Sequence, residues 1–273
     1  QKNPTCIGDS NGELEITAVF PSNSPTDFEY SLDGGTNWSA AVANPFIIPS
    51  LTDGTYNIQV RPNSGSPATC TVSLSETLSD PSAITVAASV SKIITCNTDS
   101  ALDGATISID GVTSGGNGAT YTYALFDNAT ATAPAVQTGA PFTDIDTAGN
   151  YWVVATDAEG CTSAPFPVTV QSLQSFTFNA TAQCYDGNDG KVNITITGGS
   201  GSYEYSLDGA NWTAESSTTF TIGALSPNTY TVSIRDFNTQ CLQTANVTIN
   251  PTLTANATPT NASCSSGPLF PAG

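Results

Sequence analysis

The seven cysteines recur with a period, and this period constrains the fold of the 273-residue chain more than any other feature. Each repeat has a first cysteine, followed by an acidic stretch with Gly, a strand-like segment with paired aromatic residues, a turn ending in Tyr, and a second cysteine. Such an internal repeat of about 80 to 90 residues predicts tandem copies of one small domain. The first cysteines are Cys6, Cys96, Cys184 and Cys264, and the second cysteines are Cys70, Cys161 and Cys241.

Alternating apolar and polar residues fill short segments of each repeat, as in TYNIQV, NYWVVAT and TYTVSI. Turn residues separate these segments at intervals of about 8 to 12 residues. The pattern predicts an all-β chain of tandem immunoglobulin-like β-sandwiches that form an elongated rod. The predicted domains are 1–79, which lacks a first strand, 80–172, 173–251, and 252–273, which is the start of a further repeat or a donor strand.

One tyrosine opens the penultimate strand of each predicted sandwich, directly after a turn. These residues are Tyr56, Tyr151 and Tyr230. Their placement resembles the tyrosine corner of immunoglobulin-like domains, in which the hydroxyl donates to the backbone of the turn. The alternative is an ordinary core aromatic residue without that bond.

The segment YSLDGGTNW (30–38) has the form of an Asp-box, a hairpin found in sialidases, and SLDGANW (206–212) is a version one residue shorter. A sialidase also needs an arginine cluster that grips the carboxylate of its substrate. The chain has two arginines, Arg61 and Arg235, in different repeats. We therefore interpret YSLDGGTNW as a structural hairpin in which Asp33 and Gly34 form the turn and Trp38 packs on the sheet.

Composition excludes most other chemistry. The chain has no His, so neither a Ser-His-Asp triad nor the usual zinc ligands can form. Five basic residues face 23 acidic ones, and this net charge of -18 argues against nucleic acid and anionic membranes as partners. No apolar run approaches the length of a membrane span. We predict neither an enzyme nor a membrane-inserted protein.

The combined order of landmarks resembles the SprB repeat, and the stretches CYDGNDGKVNITITGGSGSYEYSLDGANW and ALSPNTYTVSIRDFNTQC carry the resemblance best. In the second repeat, ALFDN replaces the hairpin and its Trp. SprB repeats fill giant secreted surface adhesins of Bacteroidetes, including gliding-motility adhesins. The resemblance implies an extracellular or cell-surface protein that is exported by the type IX system and serves adhesion, motility or a surface fibre.

Three functions follow as alternatives. The first is a structural stalk or fibre segment of an adhesin, with neighbouring repeats or identical chains as partners. The second is carbohydrate-binding repeats that contact surface polysaccharide through exposed Trp38, Trp152 or Trp212. The third is a self-assembling filament subunit.

Calcium is the one ion for which the sequence offers ligands. The acidic stretches place carboxylate and amide oxygens beside Gly turns, as hard cations prefer. The alternative is that Asp-Gly turns form without any ion. The candidate ligands are Asp9, Asn11, Asp99, Asp103, Asp186 and Asp189.

Two short segments resemble the Asp-Ser/Thr-apolar site at which Bacteroidetes O-glycosylate exported proteins. They predict sugars on Ser100 and Thr147.

Recurring cysteine pairs in small exported domains indicate disulfides. Pairing within repeats would join Cys6–Cys70, Cys96–Cys161 and Cys184–Cys241. In a plain sandwich, however, the two cysteines of a repeat lie at opposite ends, beyond disulfide reach. Pairing within a repeat therefore requires the segment of the first cysteine to fold back across the sheet. The alternative schemes run between repeats and join Cys70–Cys96 with Cys161–Cys184, or Cys96–Cys241.

A strand precedes the first cysteine of the second and third repeats, as AITVAAS (83–89) and SFTFNA (175–180), whereas QKNPTC holds none. A similar segment, TLTANATPTNASC, leads to Cys264. The chain is therefore either a piece of a longer repeat protein, or a subunit whose residues 252–263 complete the first repeat of another copy.

Overall fold

The computed structural model describes residues 1–19, 27–63, 70–97, 101–132, 134–185, 189–252 and 255–257. Every regular element in these ranges is a β-strand, which confirms the all-β prediction. The described part contains no helix with the length and apolar character of a membrane span. Contacts divide the chain into two compact units, Gln1–Thr95 with Ala101–Leu173, and Cys96–Ser100 with Gln174–Gly273.

The first sandwich belongs to the first unit and packs a two-stranded sheet against a four-stranded one. The strands are β1 (Gly12–Ile16), β2 (Asp27–Ser31), β3 (Val42–Ala43), β4 (Phe46–Leu51), β5 (Gly54–Pro62) and β6 (Val72–Leu78). The small sheet pairs β1 with β4, and the large one has the order β3-β2-β5-β6. All pairings are antiparallel.

The second sandwich, also in the first unit, packs a sheet of order β15-β11-β8 against one of order β14-β13-β16-β17. Its strands are β7 (Ser82–Thr85), β8 (Ala88–Lys92), β9 (Thr95–Cys96), β10 (Leu102–Asp103), β11 (Ala105–Ile109), β12 (Ser114–Gly116), β13 (Tyr121–Phe126), β14 (Gln137–Thr138), β15 (Phe142–Ile145), β16 (Gly149–Asp157) and β17 (Phe166–Val170).

The third sandwich forms the second unit and has the same design, with sheets β18-β19-β22 and β21-β20-β23-β24. Its strands are β18 (Phe176–Gln183), β19 (Gly190–Gly198), β20 (Tyr203–Ser206), β21 (Thr213–Glu215), β22 (Thr219–Leu225), β23 (Asn228–Asp236) and β24 (Leu242–Ile249). Three tandem immunoglobulin-like sandwiches are therefore present, one for each repeat.

Period-2 alternation produces the cores. In β19, the side chains of Val192, Ile194 and Ile196 are buried, while residues between them are more exposed. Phe28 in the first sandwich and Phe142 in the second are fully buried, and each contributes about 1.5–3 kcal/mol by leaving water. The sequence specifies which side of β19 enters the core, because only one face of this strand carries large apolar residues.

The tyrosine corner is confirmed in all three sandwiches. The hydroxyl of Tyr56 donates to the carbonyl of Thr52 over 2.9 Å, and that of Tyr151 donates to Thr147 over 2.8 Å. In the third sandwich, Tyr230 donates to Ser226 over 3.0 Å. In each case the acceptor lies four residues earlier, so the bond closes the turn before the penultimate strand.

We expect Tyr151→Phe to lower the free energy of unfolding of the first unit by about 1 kcal/mol, because it removes this one hydrogen bond. Chemical denaturation followed by fluorescence measures the change. Tyr30→Phe is the matched control, since the Tyr30 hydroxyl has no hydrogen-bond partner among the described residues. Equal losses in the two variants would contradict a stabilising role for the corner.

Candidate functional site

The two tryptophan hairpins, residues 31–38 and 206–212, are built around an aspartate. In the first hairpin, the carboxylate of Asp33 accepts from the backbone N–H of Thr36 and of Asn37, each over 2.9 Å. It also accepts from the Ser31 hydroxyl over 2.6 Å. These donors, with the Asn37 backbone first, hold the pKa of Asp33 well below its ordinary value. Gly34 supports the turn with a φ of 74°.

The second hairpin repeats this network with one residue fewer in the turn. Asp208 accepts from the backbone N–H of Asn211 over 2.8 Å and of Ala210 over 2.9 Å, and from the Ser206 hydroxyl over 2.9 Å. The Asn211 backbone again contributes most to lowering the pKa of the aspartate. The aspartates thus hold the turns together, in agreement with the structural interpretation of YSLDGGTNW.

Each hairpin tryptophan packs against one of the two arginines of the chain. The Arg61 guanidinium lies 4.0 Å from the ring centroid of Trp38, and Arg235 lies 4.4 Å from that of Trp212. Such cation–π contacts contribute about 0.5–1 kcal/mol at exposed sites. Because each arginine covers a face of its tryptophan, the contact favours a structural role for these rings.

A glutamate completes each cluster. Glu29 lies opposite Arg61 on neighbouring strands and pairs with its guanidinium at 2.6 Å. Glu204 and Arg235 form the same pair in the third sandwich. The second sandwich has Thr122 opposite Thr156 at the equivalent positions. The Glu, the Arg and the hairpin Trp therefore occur together in the first and third sandwiches, and all three are absent from the equivalent positions of the second. This correlation is visible in the sequence.

The third candidate for glycan stacking, Trp152, is half-buried on β16 and belongs to no such hairpin. Carbohydrate binding by Trp38, Trp152 and Trp212 stays a prediction. Loss of glycan-array binding in folded Trp→Ala variants would support it.

The described calcium candidates have partners within the protein. Asp9 accepts from the backbone N–H of Cys6 over 3.1 Å, and Asn11 accepts from that of Thr5 over 2.8 Å. Asp103 pairs with the Lys92 ammonium at 2.5 Å.

The carboxylate of Asp189 pairs with the Lys191 ammonium at 3.2 Å and accepts from the Ala224 backbone over 2.5 Å. Asp99 and Asp186 lie outside the described residues. In the described part, no three His, Cys, Asp or Glu side chains are grouped closely enough to hold a metal. Calcium binding stays a prediction.

Gly12, which follows the first acidic stretch, is required by packing alone. A Cβ at this position would lie 2.8 Å from the Leu51 carbonyl oxygen and 2.9 Å from a Leu78 methyl group. Close backbone approach therefore requires Gly here, whether or not an ion is bound.

The O-glycosylation candidate Thr147 is exposed in the turn before β16. Its carbonyl is the acceptor of the tyrosine corner, so its side chain is held at the surface. Ser100 lies outside the described residues. Modification of both residues stays a prediction.

The structure has two disulfides, and both join the first cysteine of one repeat to the second cysteine of the following repeat. Cys6 is bonded to Cys161 in the first unit, with Cα atoms 5.4 Å apart. Cys96 is bonded to Cys241 in the second unit, with Cα atoms 4.8 Å apart. Of the predicted schemes, only Cys96–Cys241 agrees with this pattern.

The prediction of pairing within repeats is wrong, and so is the scheme Cys70–Cys96 with Cys161–Cys184. Near Cys6, the backbone of Gly8 donates to Asp80 over 2.9 Å, which places this loop beside the end of β6. Cys70 instead precedes the start of β6. The 7 residues of β6 separate its two ends by roughly 23 Å, too far for a bond. Cys70 and Cys184 are exposed free thiols.

Two buried carboxylates that the sequence analysis missed position the second cysteines. Asp157 accepts from the backbone N–H of Cys161 over 2.9 Å and of Asn117 over 2.8 Å. The Asn117 donor contributes most to lowering the pKa of Asp157, against the opposing effect of burial. Asp236 is fully buried before Cys241 and organises the same kind of loop.

These carboxylates give the fold a defined response to acid. The lowered pKa values of Asp33, Asp157, Asp208 and Asp236 mean that protonation costs more in the folded chain than in the unfolded one. Their stabilising contribution is complete above the unfolded value of about 3.9 and is lost as the pH falls through the lower folded values.

We therefore expect the free energy of unfolding to be nearly constant between pH 5 and 7, to within about 1 kcal/mol, and to fall steeply below about pH 4. Urea titrations at stepped pH measure this profile. A stability that rises as the pH drops below 4 would contradict the role of the carboxylates.

Comparison with known proteins identifies one part of the chain. Residues 182–211 match the SprB repeat. The matched SprB segment begins just before Cys184, includes β19 and β20, and ends within the second tryptophan hairpin. It is part of the stretch on which the sequence resemblance was drawn, so the resemblance is confirmed there. No curated protein sequence matches the chain.

Solved structures that align with the chain include extracellular domains 3–5 of Drosophila OTK (10% identity, 92% of this chain and 96% of that chain, TM-score 0.32). Chicken CNTN1 FN1–FN3 domains align with 10% identity, 92% and 100% coverage and a TM-score of 0.32. Titin domains A168–A170 align with 14% identity, 92% and 97% coverage and a TM-score of 0.31. TM-scores this low carry no argument about function.

Proposed function

We propose that the chain is a structural segment of a secreted surface adhesin, where its tandem sandwiches form part of a stalk or fibre for adhesion or gliding motility. The observation that carries this proposal is the interleaving of the two disulfides. The Cys96–Cys241 bond begins inside the loop that Cys6–Cys161 closes, so the two closed loops overlap.

Overlapping loops limit how far the chain extends under tension. In the oxidised chain, the shortest covalent path from Cys6 to Cys241 crosses both bonds and contains only residues 96–161. The reduced chain would release all of residues 7–240. A segment that transmits force between a cell surface and a substratum benefits from this limit.

Disulfides also support an extracellular location, because they persist in oxidising compartments and are rare in the cytosol. The SprB match at residues 182–211 supports the same location and the adhesin class. A chain with net charge -18 and few basic residues suits a hydrated surface structure that repels its neighbours. The proposal needs no catalytic step and no cofactor.

Labelling of intact producing cells tests this role. We expect an antibody against the chain to bind cells that have not been permeabilised. Replacing residues 1–252 by an unstructured Gly/Ser segment of equal length should preserve export and reduce attachment or spreading on a surface. Labelling only after lysis, or unchanged attachment and spreading with the replacement, would overturn the proposal.

A further inference from the structure

The sequence has a single Asp–Pro bond, between Asp80 and Pro81. It lies in the short connection between β6, which ends at Leu78, and β7, which begins at Ser82, inside the first unit. Asp–Pro bonds are hydrolysed in acid more easily than other peptide bonds, because the aspartate side chain attacks its own carbonyl carbon and the proline nitrogen leaves readily. The connection between the first two sandwiches therefore contains a bond that the chain itself can break.

The structure leaves one carboxylate oxygen of Asp80 without a hydrogen bond. Oδ2 accepts from the backbone N–H of Gly8 over 2.9 Å. Oδ1 is buried and accepts no hydrogen bond from the described residues. Most buried polar atoms in proteins have a partner, and a chemical task is one reason for an exception. Because no donor occupies its lone pairs, Oδ1 is free to act as a nucleophile.

Both sides of the Asp80–Pro81 bond are held in place. Before the bond, Ser79 donates its backbone N–H to the Asn3 side chain over 3.1 Å. After the bond, Ser82 pairs with Gly116 in the ladder between β7 and β12. Proline also restricts the backbone of the residue before it. Groups held in this way lose little further freedom on reaching the transition state, so the fold should accelerate the attack.

A cavity of about 270 Å³ adjoins the bond on the proline side. Its wall includes Asp9, Pro81, Ser82 and Thr162. A water molecule takes about 30 Å³ in the liquid and needs two to four polar partners, so this cavity has room for water. The carboxylate of Asp9 and the two hydroxyls are suitable partners. The cavity therefore provides a place from which water reaches the broken bond.

We propose that the chain cleaves itself between Asp80 and Pro81. Oδ1 of Asp80, in the acid form of the side chain, attacks the carbonyl carbon of the same residue, and its proton passes to the proline nitrogen. The C–N bond then breaks, which leaves a cyclic anhydride on Asp80 and a free secondary amine on Pro81. Water opens the anhydride to give the side-chain carboxyl group and the carboxyl group of the new chain end. One water molecule is consumed in total.

The Cys6–Cys161 disulfide keeps the two pieces together. Cys6 belongs to the piece 1–80 and Cys161 to the piece 81–273, so a covalent bond still spans the cut. The shortest path from Cys6 to Cys241 runs through residues 96–161 and avoids the cut, so cleavage leaves this path intact. Reduction lengthens the uncut chain, whereas it separates the cut chain into two pieces. Cleavage therefore adds to the proposed structural role a way to release the first sandwich by reduction.

Mass spectrometry of the folded chain during incubation at pH 5 tests the reaction. We expect the mass before reduction to increase by that of one water molecule, and reduction to yield the pieces 1–80 and 81–273. The same chain unfolded in urea at this pH gives the ordinary rate of hydrolysis of its Asp–Pro bond. We expect the folded chain to be cut at least about tenfold faster, because the fold holds the reacting groups in place.

Two variants separate the reaction from a loss of the fold, which tryptophan fluorescence monitors. Asp80→Glu keeps a carboxylate but would have to form a larger and less favoured ring, and Pro81→Ala replaces the leaving nitrogen by that of an ordinary peptide bond. Both should fold and stay uncut under conditions that cut the parent chain.

A folded parent chain that stays uncut, a cut that is no faster than in urea, or a cut at another bond would overturn the inference. Cleavage of folded Asp80→Glu at the rate of the parent chain would also overturn it. Each of these outcomes leaves the proposed structural role in place, since cell-surface labelling and attachment test that role separately.

Discussion

Removal of either disulfide is expected to lower the free energy of unfolding of its unit by several kcal/mol. The bonded cysteines are 155 and 145 residues apart, and closing loops of this length contributes about 5 kcal/mol each in the chain-entropy model. Native disulfides usually contribute about 2–5 kcal/mol, so we expect about 3–5 kcal/mol from each.

Denaturant titration of Cys→Ser pairs measures this effect. Trp212 is the only tryptophan in the second unit, so fluorescence of a variant with Phe at positions 38 and 152 reports that unit alone. The pair Cys96→Ser with Cys241→Ser should destabilise the second unit. The matched control is Cys70→Ser with Cys184→Ser, which removes free thiols and should change little. Equal losses in both pairs would contradict the assigned connectivity.

The Asp236→Ala variant is expected to destabilise the second unit by roughly 3–5 kcal/mol, because it removes the acceptor for several buried donors. The carboxylate accepts from the Ser200 backbone over 2.6 Å and its hydroxyl over 2.8 Å, and from the backbones of Asn238 and Thr239 over 3.0 and 2.9 Å. Burial would raise the pKa of Asp236, but these donors outweigh it and lower the pKa overall.

The same titration followed by Trp212 fluorescence measures the loss in Asp236→Ala. In the first unit, Asp157→Ala should show the corresponding effect, since Asp157 accepts from four backbone N–H groups. Asp53→Ala at an exposed aspartate is the control and should change stability by less than about 0.5 kcal/mol. A small loss in Asp236→Ala would mean that water replaces the carboxylate.

Features with a local physical cause could be predicted from the sequence. The strands follow from alternation in segments such as TYTVSI, and the corner follows from Tyr230 directly after a turn. The hairpin aspartates also follow from local rules, because Asp33 accepts from residues only three and four positions ahead. Each of these features depends on residues that lie only a few positions apart in the sequence.

The cysteine pairing could not be predicted in this way. Equal periods for first and second cysteines fit bonds within a repeat and bonds between repeats equally well. The choice depends on which end of a strand each cysteine reaches, as the contact of the Cys6 loop with Asp80 shows. The burial of Asp157 and Asp236 could not be predicted, because nothing in the sequence distinguishes these two from the other members of a set of 23 acidic residues except that each shortly precedes a second cysteine.

Single-molecule pulling of the full chain from its two ends tests the central claim that interleaved disulfides make this chain a structural segment of limited extension. In the oxidised chain, the section from Cys6 to Cys241 should extend to at most the length of residues 96–161, roughly 220 Å. After reduction, the same section should extend over all of residues 7–240, roughly 800 Å. Extension to the longer limit without reductant would contradict the account.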